Sequence, residues 1–203
     1  MQLYYVPGAC SLAPHIAIRE AGLDVKLNKI AFGAERRTED GRDFYSVSPQ
    51  GAVPVLELDN GETLTENAVL LQYIAAQAPA SGLMPAADGM AHWRMLELLN
   101  FVATELHKGI GFLFKNPPQD VWDAQVKLIL SRFKLLDAKL GDKPYLAGDN
   151  FSVADAYAFV MFTWARKFSI DLSGFPRLTA YFQRMLARPA IQQTLTEEGL
   201  PTS

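Results

Sequence analysis

With 203 residues, 49% of them hydrophobic, the chain is long enough to bury about 70% of its unfolded surface without staples. Its 19 Lys and Arg against 22 Asp and Glu give a net charge of −3 with no basic block, which offers no footing for nucleic acid or an anionic membrane as partner. A single cysteine excludes an internal disulfide and points to a reducing cytoplasm. No apolar run approaches the ~20 residues of a membrane span.

Met1 to Val6 runs straight into a strand pattern, without the basic start, apolar core and small-residue cleavage site of a signal peptide. Gln2 to Val6 is the first strand and Pro7-Gly8-Ala9 a turn. Cys10-Ser11 opens a helix whose Pro14 is tolerated because it lies in the first turn. Leu12 and Ile16 share one face, and Gly22 ends the helix. Val25 to Ile30 alternates as a second strand. Phe32 to Ser48, with charges of both signs, reads as a loop containing at most one helical turn.

Ala52 to Leu58 and Glu62 to Leu64, joined through Asp59-Asn60-Gly61, form a hairpin. Pro54 heads its first strand, where it cannot donate to a ladder, so the Val53 backbone stays available to another partner. Thr65-Glu66-Asn67 then caps a helix running from Thr65 to Ala78, and amides at such an N-terminus suit a carboxylate. Pro79 to Gly89 breaks all periodicity. The division is therefore 1–80 as an α/β domain, 81–89 as linker and 90–203 as an all-helical domain.

In the second half, Met90 to Phe114 carries Trp93, Leu96, Leu99, Ala103, Leu106 and Ile110 at helical spacing. Val121 to Leu140 repeats the pattern with Val126, Leu130, Phe133 and Leu136. Phe151 to Phe168 is apolar nearly all round, as befits a buried central helix. Phe175 to Ala187 and Pro189 to Glu197 close the chain.

Candidate chemistry is sparse. Cys10 reads either as a small buried hydrophobe or as a thiol whose place at a helix N-terminus favours the thiolate. Ser152-Val153-Ala154-Asp155 is a capping box with Asp in the Glu position, which makes Asp155 structural. Asn100, Thr104, Glu105, His107 and Lys108 form a polar stripe that is either a solvated face or, if turned toward the first domain, part of a site. His15 and His92 are isolated helix residues. Three histidines and one cysteine in no ligand spacing argue against a metal, and no Gly-rich phosphate loop occurs.

Taken together, Pro7-Gly8-Ala9-Cys10-Ser11, Val53-Pro54, Thr65-Glu66-Asn67, Asn100 with Glu105-Leu106-His107-Lys108, and Phe151-Ser152-Val153-Ala154-Asp155 resemble the cytosolic glutathione transferases, and within them the bacterial beta class. The resemblance spans the chain. It implies a thioredoxin-like α/β N-terminal domain, an all-α C-terminal domain, a cis Pro54, a homodimer and glutathione as cosubstrate. It also implies that Cys10 faces the glutathione sulfur and can form a mixed disulfide with it. Val53 would pair with the cysteinyl backbone, Glu66 and Asn67 would hold the γ-glutamyl end, and His107 with Asn100, Thr104 and Glu105 would come onto the sulfur and glycyl side. The family's usual Ser or Gly after the glutamate is here Asn67. Its loop lysine is replaced by Arg36-Arg37, of which Arg36 is assigned to the glycyl carboxylate.

The implied activity is conjugation of glutathione to a hydrophobic electrophile, in a groove between the domains, with thiol–disulfide exchange or peroxidase chemistry through Cys10. Ser11 and Tyr5 are alternative hydroxyl activators. The rivals are a non-catalytic interaction module on the same fold and a reductive dehalogenase of a catabolic pathway. Phe112, Phe114, Trp164 and Phe168 either line the electrophile pocket or belong to the core.

Overall fold

The structure, a computed structural model, describes residues 1–31, 33 and 35–203. Phe32 and Ala34, within the expected loop, lie outside the described residues. The chain divides into two compact units, Met1–Ser81 with Pro189–Ser203, and Gly82–Arg188. The last helix thus belongs to the first unit, whereas the sequence assigned it to a helical domain over 90–203. Side chains invisible to periodicity analysis explain the difference: it bonds to α1, as described below.

In the first unit, strand β1 (Gln2–Tyr5), helix α1 (Leu12–Glu20) and strand β2 (Lys26–Lys29) are followed by the hairpin β3 (Val55–Glu57) and β4 (Thr63–Leu64), helix α2 (Asn67–Gln77) and, from the C-terminus, helix α8 (Pro189–Glu198). The sheet order is β2-β1-β3-β4, with β1 parallel to β2 and antiparallel to β3. A parallel pair requires a crossover, which α1 supplies. Because β1 is central and covered on both faces, Leu3, Tyr4, Tyr5 and Val6 are all buried instead of alternating. Tyr4, Val6, Ile30, Phe44 and Val55 form one core cluster, with Ala9, Val47 and Val53 packed against it. Phe44 reaches it from the single helical turn Phe44–Ser46 of the polar loop. Gly51 turns the chain toward the hairpin at φ +59, with the Tyr45 ring so close that an added Cβ would lie 2.5 Å from it.

The second unit is helical: α3 (Met90–Phe101), a π-helical turn (Val102–His107), α4 (Lys108–Leu113), α5 (Gln119–Leu140), α6 (Val153–Lys167) and α7 (Pro176–Leu186). As expected, α6 is buried nearly all round, with Phe159 stacked on Phe182 and Phe162 tilted against Phe133. The expected stripe of the first long helix holds at Leu99, Leu106 and Ile110 and fails at Trp93, with Leu96 and Ala103 only partly buried. Trp93 is 60% exposed, and the buried row is Met95, Leu98, Leu99, Val102, Leu106 and Ile110. On α5 the buried row is Ile129, Phe133, Leu136 and Leu140. Among the described residues, no helix is long and apolar enough to cross a membrane.

At the head of α6, Ser152 and Asp155 form the expected capping box. The fully buried Asp155 carboxylate takes more than the cap. It accepts from the amides of Ser152 and Leu146, each at 2.9 Å, from the Ser152 hydroxyl, and from the Tyr181 hydroxyl at 2.7 Å. Burial pushes its pKa up, and the bonds from Ser152, Leu146 and Tyr181 oppose that shift.

Candidate active site

Three backbone segments of the first unit converge on one thiol. The turn Pro7–Ala9 delivers Cys10 just ahead of α1, and its half-buried Sγ donates to the Val53 carbonyl at 3.2 Å. Val53 lies outside the β3 ladder, which begins at Val55, and the Val53–Pro54 bond is cis. The third segment is the start of α2, where the Asn67 side-chain amide donates to the Cys10 carbonyl at 2.9 Å.

That helix begins one or two residues later than the sequence suggests, because Glu66 and not Thr65 occupies the cap position. Glu66 has φ 67 and ψ 116, a conformation uncommon for a side-chain-bearing residue and characteristic of sites that hold ligands. Its carbonyl receives the amides of Val69 and Leu70, so Asn67 and Ala68 supply the first-turn amides that α-helical bonding leaves over. Asn67 is buried, and its Oδ1 meets no hydrogen-bond donor within the described residues. The Val53 carbonyl and the first residue of α2 therefore meet at Cys10, and the exposed Glu66 stands at the cap of that helix, whose positive end suits an anion.

The two alternative hydroxyls are occupied differently. Ser11 is fully buried, with its Oγ accepting from the Val6 amide at 3.1 Å and donating to the Val6 carbonyl at 3.2 Å. It ties the turn to β1 and presents nothing outward. Tyr5 is 7% exposed, and burial followed by the fields of Glu198, Glu39 and Glu197 raises its pKa, which makes ionisation harder. In the polar loop, Arg37 is engaged with Glu35 and the Gly41 carbonyl, and the Arg36 carbonyl accepts from the Phe44 amide at 2.8 Å.

A polar cluster joins α1 to α8. The fully buried His15 places Nδ1 2.9 Å from Glu198 and Nε2 2.8 Å from Glu197, and Arg19 Nε donates to the same Glu197 oxygen at 2.8 Å. Glu198 also accepts the Gly8 amide at 2.9 Å, so α8 holds the turn that presents Cys10. Sequence reading set His15 aside as isolated. The available signal was His15 with Arg19 one turn on and the adjacent pair Glu197-Glu198 in the final helix.

In the second unit the π turn separates the polar stripe into parts. Asn100 Nδ2 donates to the Leu96 carbonyl and Thr104 Oγ1 to the Asn100 carbonyl, each at 2.9 Å, while Glu105 pairs with Arg132 at 2.6 Å. Asn100 and Thr104 thus bond within their own helix, and Glu105 reaches across to α5. His107 instead turns inward, half-buried, with Nδ1 2.6 Å from the Tyr157 hydroxyl and its ring edge-on to Trp164 at 5.1 Å. Burial, followed by the neighbouring Lys108 charge, lowers its pKa from 6.5 to about 4, so the ring is neutral at physiological pH. Beyond Trp164, the partly exposed Phe114 packs edge-on against both Trp164 and Phe168. Among the described residues, no group of three His, Cys, Asp or Glu side chains gathers to hold a metal ion.

Comparison with known proteins identifies the family. The glutathione S-transferase N-terminal domain family matches residues 8–77 and the C-terminal domain family residues 101–189. The chain is 38% identical to glutathione S-transferase GstA of Escherichia coli O157:H7 over 98% of this chain and 100% of that protein. It is 40% identical to glutathione S-transferase GST-4.5 of Xanthomonas campestris over the same shares. Among solved structures, a sphingomonad glutathione S-transferase complexed with glutathione superposes with TM-score 0.92 at 44% identity, covering 99% of this chain and 100% of that one. The bacterial beta-class glutathione S-transferase of Sphingomonas chungbukensis superposes with TM-score 0.93 at 42% identity over the same shares. The chain belongs to the glutathione S-transferases, and within them to the bacterial beta class.

Proposed function

We propose that this protein conjugates glutathione to hydrophobic electrophiles as a cytoplasmic homodimer, and that the tripeptide's sulfur lies at Cys10. The observation that carries the reading is the meeting of the Cys10 thiol, the Val53 carbonyl and the start of α2. In this reading the Val53 backbone pairs with the cysteinyl residue of glutathione, and the first-turn amides of α2 hold the γ-glutamyl carboxylate. Glu66 takes the γ-glutamyl ammonium and Arg36 the glycyl carboxylate. His107, assisted by Asn100, Thr104 and Glu105, serves the sulfur and glycyl side. Ser11 acts through the backbone of the turn and not on the sulfur. Retention on immobilised glutathione, elution by free glutathione and turnover of an aromatic halide test this directly. An interaction module without a working site flows through the resin.

The half-buried Cys10 thiol supports a second activity at the same site. The Cys10 thiolate attacks the glutathione sulfur of a mixed disulfide between glutathione and a substrate thiol, forming a disulfide between Cys10 and glutathione and expelling the substrate thiolate. A second glutathione thiolate then attacks that disulfide, regenerating the Cys10 thiolate and releasing glutathione disulfide. Cys10→Ala removes this exchange, and its effect on conjugation measures how far the two activities share the thiol.

A further inference from the structure

The pairing of His107 with Tyr157 carries a consequence for the transferase reading on which it rests. A neutral imidazole has one N–H and one lone pair, and the partner of one nitrogen decides what the other can do. Here the partner of Nδ1 is a phenol at 2.6 Å, and Tyr157 is 2% exposed. Two arrangements are chemically open to the pair. In one, the phenol O–H donates to the Nδ1 lone pair. In the other, Nδ1–H donates to the phenol oxygen. The first matches the stronger donor with the stronger acceptor, since a phenol ionises near pH 10 and an imidazole nitrogen is far more basic than a phenol oxygen. A short contact fits O–H donation.

The ring has little freedom to escape this choice. Its backbone closes the π turn Val102–His107, and the ring packs T-shaped against Trp164, at 5.1 Å and 70°, and against the Tyr157 ring, at 5.7 Å and 76°. π turns take one extra residue and recur at functional sites because they re-aim a side chain out of the α-helical row. In this helix the re-aimed side chain is His107, brought off the solvated stripe and onto the Tyr157 hydroxyl of α6.

We propose that Tyr157 is a positioning residue that holds His107 in the Nε2–H tautomer, so that His107 serves the transfer reaction as a hydrogen-bond donor and not as a base that takes a proton. The depressed basicity of His107 is consistent with this role, because a ring that stays neutral retains a single defined N–H. In such an arrangement the outer partner fixes the inner group's function without touching substrate.

The test uses the full-length protein with 15N-labelled histidine, and long-range imidazole NMR at pH 7 without either substrate. Three histidines contribute signals, and His107→Gln identifies those of His107. The expected result is an unprotonated Nδ1 and a protonated Nε2 in the wild type. In Tyr157→Phe, with an intact fold by circular dichroism, the two tautomers should mix and kcat should fall at least ~10-fold while KM for glutathione is kept. A protonated Nδ1 in the wild type overturns the proposal. So does a Tyr157→Phe protein that keeps the wild-type tautomer, or one that mixes tautomers at unchanged kcat. The wild-type spectrum decides the tautomer even if the variant fails to fold. Wild-type turnover with glutathione tests the transferase reading separately.

Discussion

The Asn67 side-chain amide donates to the Cys10 carbonyl at 2.9 Å, so the first residue of α2 is bonded to the residue that carries the thiol. The bond uses the donor end of the amide, and its buried oxygen meets no donor among the described residues. Asn67→Asp keeps the shape and replaces the donor by a second acceptor facing a carbonyl, leaving both oxygens unsatisfied at a cost of about 1–3 kcal/mol. A lower Tm and a raised KM for glutathione are expected, whereas a variant with wild-type values of both would show that the bond positions nothing.

Glu198 is expected to be more important to the turn before Cys10 than its distance in sequence suggests. His15→Leu leaves the buried Glu198 carboxylate against an apolar side chain, at about 3–5 kcal/mol. Thermal unfolding should register that loss, and hydrogen exchange should rise at the Gly8 amide, which Glu198 accepts. Unchanged exchange at Gly8 would show that the cluster braces α1 and α8 without reaching the turn.

Asp155 binds four donors, so its removal is expected to exceed the ~1 kcal/mol of a lost helix cap. Asp155→Ala strands the Leu146 amide and the Tyr181 hydroxyl in the core. A loss of about 3–4 kcal/mol follows, a drop in Tm on the order of 10 °C. Urea unfolding that gives only the cap value would place the Leu146 and Tyr181 bonds outside the stability of the fold.

His107 sets a pH dependence. Its folded pKa of about 4 lies below the ordinary 6.5, so between these values the unfolded chain binds the proton and the folded one does not. Stability therefore rises as pH increases from 4 to 6.5, is complete above that, and falls as pH drops through the window. His107→Gln should flatten this part of the stability curve relative to the wild type. The His107 ring resonances should also titrate near pH 4. A midpoint near 6.5 contradicts the buried, neutral ring.

The fold class and order of elements were legible because they rest on local chemistry. The Pro7-Gly8 turn, the Asp59-Asn60-Gly61 hairpin, the Ser152–Asp155 cap and the apolar run of α6 each state their structure within a few residues. The π turn was not legible, since Val102–His107 contains neither Pro nor Gly and its apolar spacing suits an ordinary helix. Missing it placed His107 on a polar stripe with Asn100 and Thr104, although the extra residue rotates it toward Tyr157 and Trp164. The α1–α8 cluster was equally hidden, because a pairing between His15 and Glu198 depends on tertiary packing and no periodicity encodes it. Cys10 and Val53 were brought together by the resemblance and by Pro54, while the Asn67 bond to Cys10 needed coordinates.

The central claim is that glutathione occupies this site with its sulfur at Cys10. The most direct measurement is the intact mass of the protein after incubation with glutathione disulfide, without reductant, followed by peptide mapping. One glutathionyl group, on Cys10, reversed by glutathione and absent from Cys10→Ala, is the predicted result. A folded protein with a titratable thiol that gains no adduct would contradict the account.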